Sequence, residues 1–314
     1  MAGYTEGDLR LAAAAGIRAP SLHNSQPWRF RLRDGAIEVL ADRSRQLPIA
    51  DASGWAVRIA CGAATFNARL ALASIGRPAE VALRPYGDLV ARLTPGPPRP
   101  ATYAEADLAA AVARRFSNRQ PFWPDPVPSE IRVRLIEAAR AEGGRLDLLV
   151  GMTALAGFAE IARSAERVLL RDTGYQAEMT GWTHTHAARD GVPVTAGAPA
   201  AEPQDLLPQR QYTDRRRAAG RDFEPEPLVG VLGTPADRPI DQVAAGQAVQ
   251  RVLLTATDAG LASSMISQPI EVPAAREQLR LSLRRSAVPQ IAVRFGYGHA
   301  GRVTPRRPVE DVLD

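Results

Sequence analysis

Three short stretches of this sequence are dense in arginine, hydroxyl and amide side chains. Residues 18–30 read RAPSLHNSQPWRF, where Ser21, His23, Asn24 and Gln26 set out donors and acceptors at close intervals after Pro20 has stopped the preceding segment. Residues 114–122 read RRFSNRQPF, with Arg115, Ser117 and Arg119 at alternating positions, so an extended backbone points all three the same way. Residues 304–313 read TPRRPVEDVL and hold Arg306 and Arg307 between prolines. Planar guanidinium forks suit a phosphate and the edge of a flat polar heterocycle. Taken singly, each stretch also reads as a polar or solvated basic turn.

Composition narrows the chemistry. The chain of 314 residues contains no lysine, so all 39 of its Lys+Arg residues are arginine. A P-loop lysine, a Schiff-base lysine and a lysine general base are therefore excluded. A net charge of +5, few aromatics and no basic run longer than Arg215 to Arg217 make nucleic-acid binding a weak alternative, one that predicts steep salt dependence. No apolar run approaches the ~20 residues of a membrane span, and MAGYTEGDLR carries acids where a signal peptide would be basic; the expected location is cytoplasmic. The single cysteine, Cys61, lies in the apolar run VRIACGAATF and reads as a small buried hydrophobe. His184-x-His186 could ligate a metal but lacks a nearby Cys or acid pair, so no metal site is expected. GYGHAG, 296–301, matches a dinucleotide-binding pattern but has Pro305 and Pro308 where a helix would have to begin. With four histidines and no G-x-S-x-G, a serine-hydrolase triad has little support.

The elements that must carry these residues follow from periodicity and stop signals. Helices are expected over 6–16, 52–75, 104–114, 129–142, 153–171, 240–260 and 274–284. A strand over 28–40 is broken by the turn Asp34-Gly35, and further strands fall near 80–84, 89–93, 146–150, 228–232 and 290–295. The pattern is α+β, with helices burying most of the apolar surface. TPGPPRPAT, 94–102, has four prolines and a glycine and divides the chain into 1–98 and 99–314. Residues 172–227 are rich in Pro, Gly and polar types, with Trp182 and Tyr212 as isolated aromatics, and read as a long loop that could serve as a lid.

In their order along the chain, APSLHNSQPWRF, RRFSNR with the following PVPSEIRVRLIEAA, and a terminal GYG then PRRPVEDV resemble the nitroreductase family of FMN-binding flavoproteins, its Acg-type branch in particular. The resemblance covers nearly the whole chain. One departure stands out: ordinary family members place the arginine-serine-arginine loop before the A-P-S-x-x-N-x-Q-P-W segment, whereas here it follows by about ninety residues. That inversion suggests two fused, diverged copies forming a pseudo-dimer with one complete flavin site between them, in a monomer or a homodimer.

The resemblance implies an FMN-dependent oxidoreductase that takes hydride from NAD(P)H and passes electrons to a nitroaromatic, quinone or similar small acceptor, with the chemistry on the flavin and no catalytic side chain. It implies FMN contacts from Arg115, Ser117 and Arg119, a phosphate contact from Arg306 and Arg307, and contacts from Pro20, Ser21, His23, Asn24 and Gln26 in the opposite half. Ser263, Ser264 and Met265 fall where family backbone amides approach the ring, without the usual glycine-proline pattern. A rival reading is a lid-covered protein that stores FMN and turns over poorly.

Overall fold

The computed structural model describes residues 2–200, 205–213, 224, 226–283, 287–299 and 301–314. Parts of the 172–227 segment, the Arg215 to Arg217 run, position 284 at the end of the last expected helix and Ala300 of GYGHAG lie outside the described residues.

Helix α1 (Glu6–Gly16) is opened by a capping box in which the Asp8 amide donates to Thr5 Oγ1 and the Thr5 amide donates to the Asp8 carboxylate. It buries Leu9, Ala12 and Ala13 against a hairpin of β1 (Trp28–Arg33) and β2 (Ala36–Ala41). The hairpin turns on Asp34 and Gly35, both at positive φ (51° and 69°), the geometry that matches strand twist. Helix α2 (Trp55–Ser74) follows, its first amides held by the Asp51 carboxylate at 2.9 Å. Gly76 at φ 76° then releases the chain into β3 (Ala79–Tyr86) and β4 (Leu89–Pro95).

After the proline-rich connection come α3 (Tyr103–Arg114), α4 (Ser129–Arg140), β5 (Arg145–Leu149) and α5 (Met152–Arg171). The segment read as a lid loop is not loop throughout. It contains α6 (Thr173–Gly181), capped by Asp172 and anchored by the buried ring of Tyr175, and a short parallel pair of β6 (Thr183–His184) and β7 (Val192–Pro193). Beyond it lie β8 (Leu228–Thr234), α7 (Pro239–Asp258), β9 (Ala262–Ile266), α8 (Gln268–Glu271), α9 (Pro273–Ser282) and β10 (Val288–Gly296). Strand β9 and helix α8 have no strong sequence signal; β9 is serine-rich and owes its hydrogen bonds to β10. Among the described residues no helix is long and apolar enough to cross a membrane.

Two antiparallel sheets result, ordered β1-β2-β4-β3 and β5-β8-β10-β9. In each a 20-residue helix, α2 or α7, falls between the second and third strands and the last strand lies inside the third, so one strand order occurs twice, although the second sheet carries further helices between its strands. Helices α2 and α7 cross where Gly62 meets Gly246. A Cβ at Gly62 would lie 2.1 Å from the Val243 carbonyl oxygen, and one at Gly246 would lie 2.1 Å from that of Ile59. The last residues return to the first sheet: Leu313 pairs with Phe30, and the Asp314 amide donates to the Phe30 carbonyl at 2.9 Å. Strand β10 ends at Gly296, and Gly296 and Gly298 pack on the Phe122 ring instead of opening a helix. Cys61 is fully buried, its Sγ 3.2 Å from the Pro27 carbonyl, and burial pushes the thiol far up.

Candidate active site

The segment between α1 and β1 is held in an uncommon conformation. His23, Asn24 and Gln26 all sit at positive φ (49°, 57° and 53°), a region that costs a non-glycine residue on the order of 1–3 kcal/mol. Hydrogen bonds compensate. The Gln26 amide donates to Ser21 Oγ at 2.9 Å, its side chain donates to the Arg189 carbonyl at 3.0 Å, and its Oε1 accepts from the Arg307 amide at 2.9 Å. Asn24 Nδ2 donates to the carbonyls of Gly191 and Pro305 at 2.9 and 3.0 Å, and its Oδ1 accepts from Arg306 Nη1 at 2.9 Å. The strained turn thus ties the β7 approach and the C-terminal segment to the first half.

Arg306 brings a guanidinium close to those of Arg18, Arg115 and Arg119. Arg115 is 3% exposed; its Nη2 donates to the Arg18 carbonyl at 2.8 Å, while Nε and Nη1 have no partner. Burial, then the Arg18 charge, pushes Arg115 down to about 10. Burial, then Arg115, Arg18 and Arg119, pushes Arg306 down to about 9, and its Nε is likewise without a partner. Neither Arg115 nor Arg306 has an ion-pair partner among the described acids. Buried cations with idle donors call for an anion.

Beside this cluster a cavity opens between the two halves. Pro20 to His23 and the start of α2 (Trp55, Ala56, Ile59, Ala60) form one wall; Val249 of α7, Ser264 to Gln268 and Ile291 form the other. Arg119 stands at its edge, Nη1 donating to the Ala196 carbonyl at 3.4 Å, with Tyr212 beneath its guanidinium. Leu207 to Arg210 and Tyr212 line the cavity on a further side and form its roof. This roof is pinned from below: Arg210 pairs with the buried Glu271 of α8 at 2.5 Å, and the Tyr212 hydroxyl lies 3.2 Å from His23 Nδ1. Arg294 of β10 stacks on Phe122 and pairs with Glu224 at 3.0 Å.

The expected site residues therefore divide. Pro20, Ser21, His23, Arg119, Ser264 and Met265 line the cavity, and Arg115 and Arg306 form the cationic cluster beside it. Asn24 and Gln26 do not line the cavity; they brace the segments that do. Ser117 and Ser263 pair backbone to backbone, and the Asn118 amide donates to the Ser263 carbonyl at 2.8 Å, which fastens the 115–119 loop to the edge of β9. Arg307 turns away to the Gln26 and Asp311 carbonyls and to Asp42, 3.7 Å off. Leu207, Gln209, Arg210, Trp55 and Gln268 were missed in the sequence, because no local pattern marks them; of the roof only Tyr212 stood out. His184 and His186 lie 5.3 Å apart, ring to ring, and no group of three metal-ligating residues occurs among the described residues.

The nitroreductase family profile matches residues 112–297. Two proteins of Mycobacterium tuberculosis, Rv3131 and acg, both named provisionally as NAD(P)H nitroreductases, are 30% identical to the chain, over 98% of it and 91% of the former and over 97% of it and 95% of the latter. An FMN-bound nitroreductase from Desulfitobacterium hafniense, 16% identical, aligns with 65% of this chain and 95% of its own at a TM-score of 0.43.

Proposed function

The chain belongs to the nitroreductase family, and from that premise we propose that it is an FMN-dependent NAD(P)H oxidoreductase with a single flavin site between two fused, nitroreductase-like halves. The observation that carries the site is the unneutralised pair of buried Arg115 and half-buried Arg306, in which Nε and Nη1 of Arg115 and Nε of Arg306 are idle donors that fit the phosphate of FMN. Asn24 Oδ1 orients Arg306 toward that role, and the strained turn around it keeps the two halves in register. The apolar walls around Trp55, Ile59 and Val249 fit a flat ring, with Ser264 and Met265 bordering it from β9. Arg119 supplies positive charge where a reduced ring gathers negative charge. FMN, when bound, supplies the redox chemistry, taking hydride from NAD(P)H and passing electrons to a nitroaromatic, quinone or similar acceptor. The repeated sheet topology and the Gly62–Gly246 crossing support the reading of the fold as an internal pseudo-dimer.

The purified protein is expected to be yellow and to release about one FMN per chain on denaturation, since the RRFSNR segment occurs once in the sequence. Absorbance and protein mass measured on one sample check this. A ratio of two would defeat the single-site arrangement.

The roof favours attention to a second reading, storage of FMN under a closed cover. If Leu207 to Arg210 and Tyr212 cover a ring bound in the cavity they line, nicotinamide would stack on it only after the roof opens, and opening would set the rate. Anaerobic mixing with NADPH or NADH is expected to bleach the flavin slowly in the intact protein. A variant with residues 198–213 replaced by a short glycine-serine linker should bleach much faster, while dithionite, which need not stack, reduces both at similar rates. Rapid NAD(P)H reduction of the intact protein would remove the roof as a gate. Refusal of hydride by both forms, with FMN still bound, would select storage.

A further inference from the structure

The resemblance sets His23 among the FMN contacts, but the flavin site as proposed uses none of its ring atoms, although it lines the cavity. It is 2% exposed and held at φ 49°, so the fold accepts backbone strain to place an imidazole there. One ring nitrogen is committed: Nδ1 lies 3.2 Å from the Tyr212 hydroxyl of the roof. The other, Nε2, is buried without a partner. Two of the charged groups that line the cavity are neutralised, Arg210 by Glu271 and Arg294 by Glu224. Leu22, Trp55, Ile59 and Leu207 make the surrounding surface apolar and suited to a ring.

We propose that His23 is the hydrogen-bond donor this cavity presents to an oxygen atom of the electron acceptor, the carbonyl of a quinone or the nitro group of a nitroaromatic. The inference rests on the flavin reading. The Arg119 guanidinium donates to the Tyr212 oxygen, which leaves the hydroxyl proton to go to Nδ1 of His23, and the ring proton is then carried by the unpartnered Nε2. The groups around the imidazole are Arg119 and Arg210, the latter paired with Glu271, and the rings of Tyr175 and Tyr212. Burial and the two arginine charges hold His23 well below its ordinary value, so it acts as a neutral donor. In quinone reduction the hydride brings both electrons and one proton, and negative charge gathers on an oxygen. The Nε2–H steadies that charge without giving up its proton, and water supplies the second proton as the hydroquinone leaves.

The test uses FMN-loaded protein, pre-reduced and mixed anaerobically with 1,4-naphthoquinone or with ferricyanide, an outer-sphere oxidant that needs no hydrogen bond. His23→Phe keeps the ring shape and removes the donor. It is expected to slow the quinone reaction by about 10²-fold, the loss typical of one positioned donor, and to leave the ferricyanide reaction little changed. His23→Gln retains an N–H and should recover most of the quinone rate, and Tyr212→Phe should slow it by releasing the tautomer. Nitrogen-15 spectra of the labelled wild type, with the His23 signals identified by their loss in His23→Phe, should show a neutral ring protonated at Nε2. Equal slowing with both oxidants, the other tautomer, or weaker FMN binding in His23→Phe would overturn the assignment while leaving the flavin reading intact. Failure of the wild type to bind FMN would overturn both.

Discussion

Replacing Arg115 with methionine is expected to make the FMN-free protein more stable and the FMN complex weaker, two effects of opposite sign from one substitution. In the folded chain Arg115 is buried with a single hydrogen bond and no counter-ion, and lies at about 10 rather than the ordinary 12.5. A shift of that size is a penalty on the order of 3 kcal/mol, because the unfolded chain holds the proton more tightly. The penalty is fully present below the folded value and fades as the pH rises from about 10 toward 12.5, so at neutral pH it acts in full. Methionine removes it and refills the volume, and a gain of roughly 1–3 kcal/mol in the apoprotein follows. The same change deletes a charge-assisted contact to the phosphate worth roughly 1.5–3 kcal/mol, or about one to two decades in FMN affinity. Thermal unfolding with and without FMN, together with a fluorescence titration, reads both. Arg307→Met, at a side chain that points to Asp42 and Asp311, should weaken FMN binding far less. Equal losses at Arg115 and Arg307 would mean that the phosphate lies elsewhere.

Gly246→Ala is expected to destabilise the fold by about 3 kcal/mol or more, at or beyond the usual limit for an overpacked core. The new methyl would sit 2.1 Å from the Ile59 carbonyl oxygen and 2.9 Å from Gly62 Cα, both backbone atoms of α2 that cannot swing aside. The two central helices would have to separate, and the cavity built on Ile59 of one and Val249 of the other would separate with them. Gly157→Ala in α5 is the control. Nothing lies within 4 Å of its added methyl, so alanine there should stabilise by roughly 0.5–1 kcal/mol through helix propensity alone. Urea unfolding of both variants decides the matter; a mild loss at Gly246 would show that the crossing tolerates a wider gap.

The sequence by itself determined the parts whose causes are local. Thr5 with Asp8, Thr102 with Glu105, the Asp34-Gly35 turn and the Gly76-Pro78 exit set element boundaries because caps and positive φ act within a few residues. Lysine-free composition and three arginine or amide motifs suited a phosphate and a flat polar ring, though each stretch singly also read as a solvated turn, and it was the order of the motifs, through the family resemblance, that pointed to FMN. Tertiary structure alone decided which of those side chains meet. Asn24 and Gln26 carry the right chemistry for a ligand, yet their bonds go to Arg306, Gly191, Arg189 and the Arg307 amide, partners more than 160 residues away whose approach no spacing encodes. Arg306 and Arg307 are neighbours in sequence, but one joins the cationic cluster and the other turns to Asp42, because the first-half turn takes hold of each differently. The roof was read as loop because Pro and Gly dominate it. Its order comes from Tyr175 buried in α6, Arg210 on Glu271 and Tyr212 on His23, contacts whose free energy exists only once the parts of the chain that carry Glu271 and His23 have folded beneath them.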